Sequence, residues 1–299
     1  MSDLPDRSGT PATLGHAARI SGNTRVFMIL GDPVAQVRAP DLFNRIFARH
    51  GVDAVLVPAR VAAKDFAAFV RHALCAQNID GLWLAIPHKG PMVLLLDRCE
   101  LRGRVAQAVN AVRRNADGTL EGALLDGLGF VKALDHFGFD PCGKRALLVG
   151  AGGAGAAIAV SLAERGLARL SLHDIDAGRC ELLAARLRQS WPLQVQVLAT
   201  PDPGGCELVV NASPLGLQLD DALPIKVARL EPAALVIDIV MKERPTALLR
   251  ACAERGVRAY PGFEMLVQQV PDYLHFFGLH EVADALQDLS EVRALLLSP

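Results

Sequence analysis

Hydrophobic and polar positions change period repeatedly along the chain, and each change marks an element. Residues 26–30, VFMIL, form an unbroken apolar run, and the polar turn GDPVAQVRAP follows it. From 41 to 50, Leu42, Phe43, Ile46 and Phe47 recur at helical spacing and Gly51 provides a stop. AVLVPA (54–59) predicts a second strand, and 62–76 returns to the helical period with Phe66, Phe69, Val70 and Leu74 on one face. GLWLAIP (81–87) predicts a third strand, apolar throughout and so buried on both faces. Between 110 and 125 the pattern is a hairpin: NAVRR, the turn NADG, then TLEGALL. GFVKALDHFG predicts a helix. The chain then restarts with KRALLVGAGGAGAAIAVSLAERG: a strand, a glycine turn and a helix. Further strands are expected at 169–174, 207–213 and 234–240 with helices between them, and 262–297 reads as nearly all helix. Strands separated by helices in this rhythm predict an α/β fold with parallel sheets covered on both faces.

With 299 residues, two domains are expected. The pattern breaks between the hairpin and the glycine strand, which places a first α/β unit at 22–125 and a Rossmann-type dinucleotide unit at 126–262. Residues 1–21 are rich in Pro, Gly, Ser and Thr and carry no apolar h-region, so they are expected to be a disordered tail and not a signal peptide.

Composition narrows the function. Hydrophobic residues make up 51% and charged residues 21%, and the formal net charge is −1. Such a chain has no bulk attraction to nucleic acid or to an anionic membrane, and no apolar run is long enough to span one. Aromatic residues, at 5%, are too sparse for a base-stacking surface. The six cysteines include no C-x-x-C pair and the eight histidines no H-E-x-x-H. No metal site and no disulfide framework are expected, and the cysteines read as the reduced thiols of a cytoplasmic protein.

The first candidate chemistry is at Gly150, Gly152 and Gly155, a G-x-G-x-x-G at a strand-to-helix junction. With Ala151, Gly153 and Ala154 these residues make a turn whose backbone can approach a pyrophosphate. Asp174 lies about 20 residues beyond the motif, at the end of the next strand, where a carboxylate accepts ribose hydroxyls and repels a 2′-phosphate. No Lys or Arg follows the strand immediately, and Arg179 is expected to face solvent. NAD is therefore expected over NADP. The second candidate is Lys89 in LWLAIPHKG (82–90), a lysine standing where a buried strand surfaces. Lysine is ordinarily kept in water, so a solvated loop is the plain alternative.

These residues resemble the shikimate dehydrogenase family from about Thr24 to the C-terminus. GDPVAQVRAP is similar to its G-N-P-I-x-x-S-x-S-P, WLAIPHK to N-V-T-V-P-x-K, AVNAV to A-V-N-T, and LLDGLGF to N-T-D-G-x-G. GAGGAG matches the dinucleotide turn, NASPLG the N-A-T-x-x-G strand, and GFEMLVQQ the G-x-x-M-L-V-x-Q helix. The resemblance implies that Lys89 and Asp126 are the catalytic pair, and that Asn110 and Gln269 bond ring hydroxyls of the substrate. It places Asn211 and Gly262 on the cofactor side and returns the helices of 263–299 to the first unit. Oxidising a secondary alcohol needs a base for the hydroxyl proton while hydride leaves for a nicotinamide, and Lys89 with Asp126 would serve.

The chain departs from the family where a substrate carboxylate would be held. The serines of S-x-S are Val37 and Ala39, the asparagine and threonine of N-V-T are Trp83 and Ala85, the threonine before Asp126 is Leu125, and a tyrosine is replaced by Met241. Arg38 is the candidate substitute, because a guanidinium can clamp a carboxylate alone. His88 stands where relatives carry an aromatic, and a packing or solvent-facing role is expected for it. The reading is an oxidoreductase interconverting a secondary alcohol and a ketone on a small cyclic hydroxy acid: shikimate, quinate or a related ring. That implies aromatic biosynthesis or quinate metabolism. The alternative is an idle ligand-binding relative. A homodimer is left open.

Overall fold

The computed structural model describes residues 20–242, 244–286 and 288–297. The tail expected over 1–21 lies almost wholly outside them. Two six-stranded sheets organise the chain. The first contains β1 (Arg25–Gly31), β2 (Ala54–Arg60), β3 (Ile79–Leu84), β4 (Arg98–Cys99), β5 (Ala111–Arg114) and β6 (Leu120–Ala123), in the order β2-β1-β3-β5-β6-β4. The second contains β7 (Arg145–Val149), β8 (Arg169–His173), β9 (Gln194–Val197), β10 (Leu208–Asn211), β11 (Leu235–Asp238) and β12 (Arg258–Pro261), in the order β12-β11-β10-β7-β8-β9. Its pairings are all parallel, and every residue of β10 and β11 is buried, as strands covered on both faces require.

The first sheet is mixed, which corrects the expectation of parallel sheets. The hairpin β5–β6 enters antiparallel to β3, with Trp83 opposite Ala111. β3 also ends at Leu84, three residues before the expected end, and the chain leaves the sheet toward Lys89. Instead of one helix over 62–76 there is a 3₁₀ turn, Ala63–Asp65, and a shorter helix, Phe66–Ala73.

The last helices, Phe263–Gln268, Val270–Phe276, His280–Ala285 and Ser290–Leu297, bring Leu266, Val270, Leu274 and Val292 into one core with Phe27, Phe43 and Trp83 of the first sheet and its helix Ala39–Arg49. A second core gathers Leu148, Leu170 and Val210 of the second sheet under the helix Gly153–Glu164. Val105 and Ala106, from the short helix Leu101–Ala106, join this second core, although they precede the hairpin in sequence.

The helix Asp126–His136 is wedged between the halves. A methyl group on Gly127 would stand 2.2 Å from the carbonyl oxygen of Ala157, and one on Gly129 would stand 2.4 Å from that of Met265. Only glycine permits so close an approach on both sides. Among the described residues no helix is long and apolar enough to cross a membrane.

Candidate active site

Beyond β3 the chain is pinned by His88, and this pin aims its neighbour. The His88 ring is fully buried, stacked on Phe66 with centroids 4.2 Å apart, and its Nε2 lies 2.8 Å from the Val61 carbonyl oxygen. A donor at Nε2 suits a neutral ring, and burial holds the His88 pKa below the usual imidazole range. Of the two roles expected for His88, the structure selects packing and excludes the solvent-facing one. The Lys89 carbonyl accepts from the Val109 amide at 3.0 Å, which fixes the backbone where the lysine side chain departs.

The ammonium of Lys89 donates to Asp126 Oδ2, and the two side chains are 17% and 10% exposed. Asp126 opens an 11-residue helix, an end at which a carboxylate is favoured by the unpaired N–H groups. Lys89 and Asp126 thus arrive from opposite sides of the chain reversal and meet on the wall of a cleft of about 1160 Å³.

One wall of the cleft is apolar: Ile29, Val37, Ala39, Phe43, Trp83 and Ala85. Trp83 is stacked on Phe277 and Tyr273 with centroids 4.1 and 5.2 Å away, so the indole is set in the core behind it. Its Nε1 is buried and has no partner among the described residues, and neither has Gln269 Oε1, also of the cleft lining. Buried polar atoms are rarely left unpaired, and both belong to residues of the cleft lining. Arg38 is exposed at the start of the helix Ala39–Arg49, where it lines the cleft with no side-chain partner among the described residues. Met241 lines the opposite lip.

Two expected members are absent from the cleft lining. Asn110 is fully buried behind the wall, where its Oδ1 accepts from the Leu125 amide at 2.7 Å and its Nδ2 has no partner. Leu125 is likewise core. Sequence reasoning missed Tyr273, whose hydroxyl lies 3.4 Å from the Asn110 carbonyl oxygen and is pushed well above the usual phenol pKa by burial. The signal was present: Tyr273 is four residues beyond Gln269 and shares its helical face. Lys242, Arg244 and Arg250 were also missed, and they bring positive charge to the cleft from the second half of the molecule.

On the cofactor side the glycine turn has the shape its sequence predicts. Gly150 has φ +101°, and a methyl on Gly155 would stand 1.9 Å from the Gly150 carbonyl oxygen. The N–H groups of Gly153, Ala154 and Gly155, at the start of a 12-residue helix, have no partner among the described residues. Such a terminus fits a pyrophosphate. Asp174 accepts from the Ala151 amide at 2.7 Å and from the Asp176 amide at 2.9 Å. Arg179 is exposed, as expected, but is not free in solvent. It leans back, 3.6 Å from Asp174 and 3.5 Å from Asp176.

Asn211 has no hydrogen-bonding capacity to spare for a ligand. Its Nδ2 donates to the Leu215 carbonyl and to Asp238 Oδ1, and its Oδ1 accepts from Ser213. Gly262 packs on the backbone of Ile239, where a methyl would stand 2.7 Å from Cα. Neither lines the cleft. Both shape the loops around it.

Residues 29–112 match the model of the shikimate dehydrogenase substrate-binding domain. The chain is 37% identical to a shikimate dehydrogenase (NADP(+)) of Rubrobacter xylanophilus, over 84% of this chain and 89% of the relative. Its fold is that of a Listeria monocytogenes shikimate 5-dehydrogenase solved with shikimate and NAD, at a TM-score of 0.81 and 24% identity, covering 94% of this chain and 99% of the other. A 5-ketofructose reductase of a Gluconobacter strain superposes with a TM-score of 0.79 at 26% identity, covering 92% and 99%. None of these relatives supports the idle-binder alternative, and neither does the intact pair of Lys89 and Asp126.

Proposed function

Because the chain belongs to the shikimate dehydrogenase family, and is thereby an NAD(P)-dependent oxidoreductase acting on CH–OH groups, we propose that Lys89 and Asp126 carry its proton transfer on a small cyclic hydroxy acid of the shikimate or quinate type. The observation that carries this reading is the paired, largely buried ammonium and carboxylate on the cleft wall. When bound, the nicotinamide would supply the hydride acceptor or donor. The chain's part is to give a proton from the Lys89 ammonium to the carbonyl oxygen in reduction, or to take the hydroxyl proton on the neutral amine in oxidation, with Asp126 holding that nitrogen in line. Gln269 would meet polar groups of the ring, Trp83 would lie against it, and Met241 would close over it from the other lip. Arg38 would hold the carboxylate. In this division of labour, residues 22–125 with 263–299 bind substrate and 126–262 bind the dinucleotide.

We further propose that NAD is preferred. Two carboxylates, Asp174 and Asp176, share one guanidinium, and Ile175 between them is fully exposed. That corner is net negative and repels a 2′-phosphate. Curated relatives are named for NADP(+), so the preference would be a property of this chain's own residues after β8.

The test is a rate screen of shikimate and quinate with both cofactors. Turnover of at least one acid is expected, and Arg38→Ala should raise its KM about tenfold, equivalent to ~1.4 kcal/mol. Absence of turnover with every cyclic hydroxy acid would overturn the substrate class. The loss of hydroxyl donors at Val37, Ala39 and Ala85 leaves room for one second reading, a neutral polyhydroxy ketone, in keeping with the similarity to a 5-ketofructose reductase. Keto-sugar reduction that Arg38→Ala leaves untouched would select it.

A further inference from the structure

The aliphatic stem of Lys89 lies against Gly153, the first residue of the helix Gly153–Glu164. A methyl group there would stand 3.2 Å from Lys89 Cδ and 3.4 Å from its Cβ. Four and eight residues further on, Ala157 and Ser161 fall on the same face of that helix. They receive the other half of the pair, because Gly127, beside Asp126, approaches within 2.2 Å (methyl to oxygen) of the Ala157 carbonyl and 2.3 Å of Ser161 Oγ. One face of one helix therefore sets the position of both Lys89 and Asp126. The N-terminus of the same helix carries the unpaired N–H groups of the glycine turn.

We infer that Gly153 is a positioning residue for Lys89: its missing side chain lets the lysine stem lie flat on the turn that would receive the dinucleotide, and so sets the line along which the amine reaches Asp126. The inference rests on the catalytic reading of Lys89 given above. The neighbouring glycine separates the two demands on this turn. A methyl on Gly152 would meet nothing within 4 Å, so that position faces open space on the ligand side. Gly152 leaves room for the cofactor, and Gly153 leaves room for the lysine.

Alanine at 153 keeps the backbone N–H and is the better helix former, so the fold has no reason to fail. The contact at 3.2 Å is too tight to hold, and the flexible stem is what gives. A displacement of a few tenths of an ångström would move the amine out of line with Asp126 and the substrate hydroxyl, and reaction rates are steep in such misplacement.

The experiment measures kcat, its pH profile and the NAD dissociation constant for Gly153→Ala, Gly152→Ala and Lys89→Ala, and for the double variant Gly153→Ala/Lys89→Ala. Gly153→Ala should lower kcat about tenfold or more and displace the pH profile, with NAD affinity changed less than about threefold. Gly152→Ala should chiefly weaken NAD. In the Lys89→Ala background, Gly153→Ala should add nothing, since the group it disturbs is gone. Parent kcat and pH profile in Gly153→Ala, or an equal further loss without the lysine, would overturn the inference. Near-normal turnover of Lys89→Ala would instead overturn the catalytic reading itself, and the two failures are thereby distinct.

Discussion

Single residues carry the chemistry, and some were legible because their types are costly where they stand. A lysine at the end of a buried strand and an acid at the start of a helix each need a reason, and they supply it by pairing. Asn110 and Asn211 were legible as matching positions, but the partners of their side chains were not. What separates a ligand-facing amide from a scaffolding one is which partners fold around it, and for Asn211 those come from Leu215, Ser213 and Asp238, up to 27 residues away. Asp174 gives the prediction that belongs here. Asp174→Ser removes one of the two carboxylates facing Arg179 and frees that guanidinium for a 2′-phosphate. The ratio of kcat/KM for NAD over NADP should fall at least tenfold, a change of ~1.4 kcal/mol. An unchanged ratio would place cofactor choice elsewhere.

At the scale of elements, apolar runs such as β7, β10 and β11 were plain, because strands buried on both faces leave no polar positions. The edge strands β9 and β12 were not. Gln194–Val197 alternates over only four residues, and Arg258–Pro261 is as short and ends in proline, so neither run is long enough to stand out from a loop. The mixed first sheet was implicit in the hairpin, whose antiparallel entry contradicts a purely parallel reading. β11 also ends in a buried acid. Asp238 is fully buried, accepts from Thr246, Asn211 and the Val240 amide, and is nonetheless pushed above the usual carboxyl range, chiefly by burial. The raised pKa fixes the sign. Below about pH 4 the carboxyl is neutral in both folded and unfolded chains. As pH rises toward the folded-state pKa, the unfolded chain ionises first, and the contribution of this group to stability is lost. Asp238→Asn cannot ionise, so its stability relative to the parent should rise with pH from 4 upward and then level off. Urea denaturation at several pH values measures this, and a flat difference would refute it.

At the scale of the whole molecule, the cleft exists because the chain crosses between its halves and returns. The helices after Gly262 rejoin the first sheet, the helix Asp126–His136 is wedged between the halves, and Leu101–Ala106 packs into the second core. The return was legible only through family motifs, since amphipathic helices carry no address for the sheet they cover. The cationic lip of Lys242, Arg244 and Arg250 was not legible, because its three charges are spread over nine residues and share a cleft with Arg38 only in the folded chain. Together they favour an anionic occupant. The most direct measurement is hydride transfer in a single turnover, followed by nicotinamide absorbance in the parent and in Lys89→Ala with cofactor saturating. Removing the amine should slow transfer by a factor on the order of 10² to 10⁴ while NAD affinity stays near the parent value. Transfer at the parent rate in Lys89→Ala would contradict the assignment of proton transfer to Lys89 and Asp126.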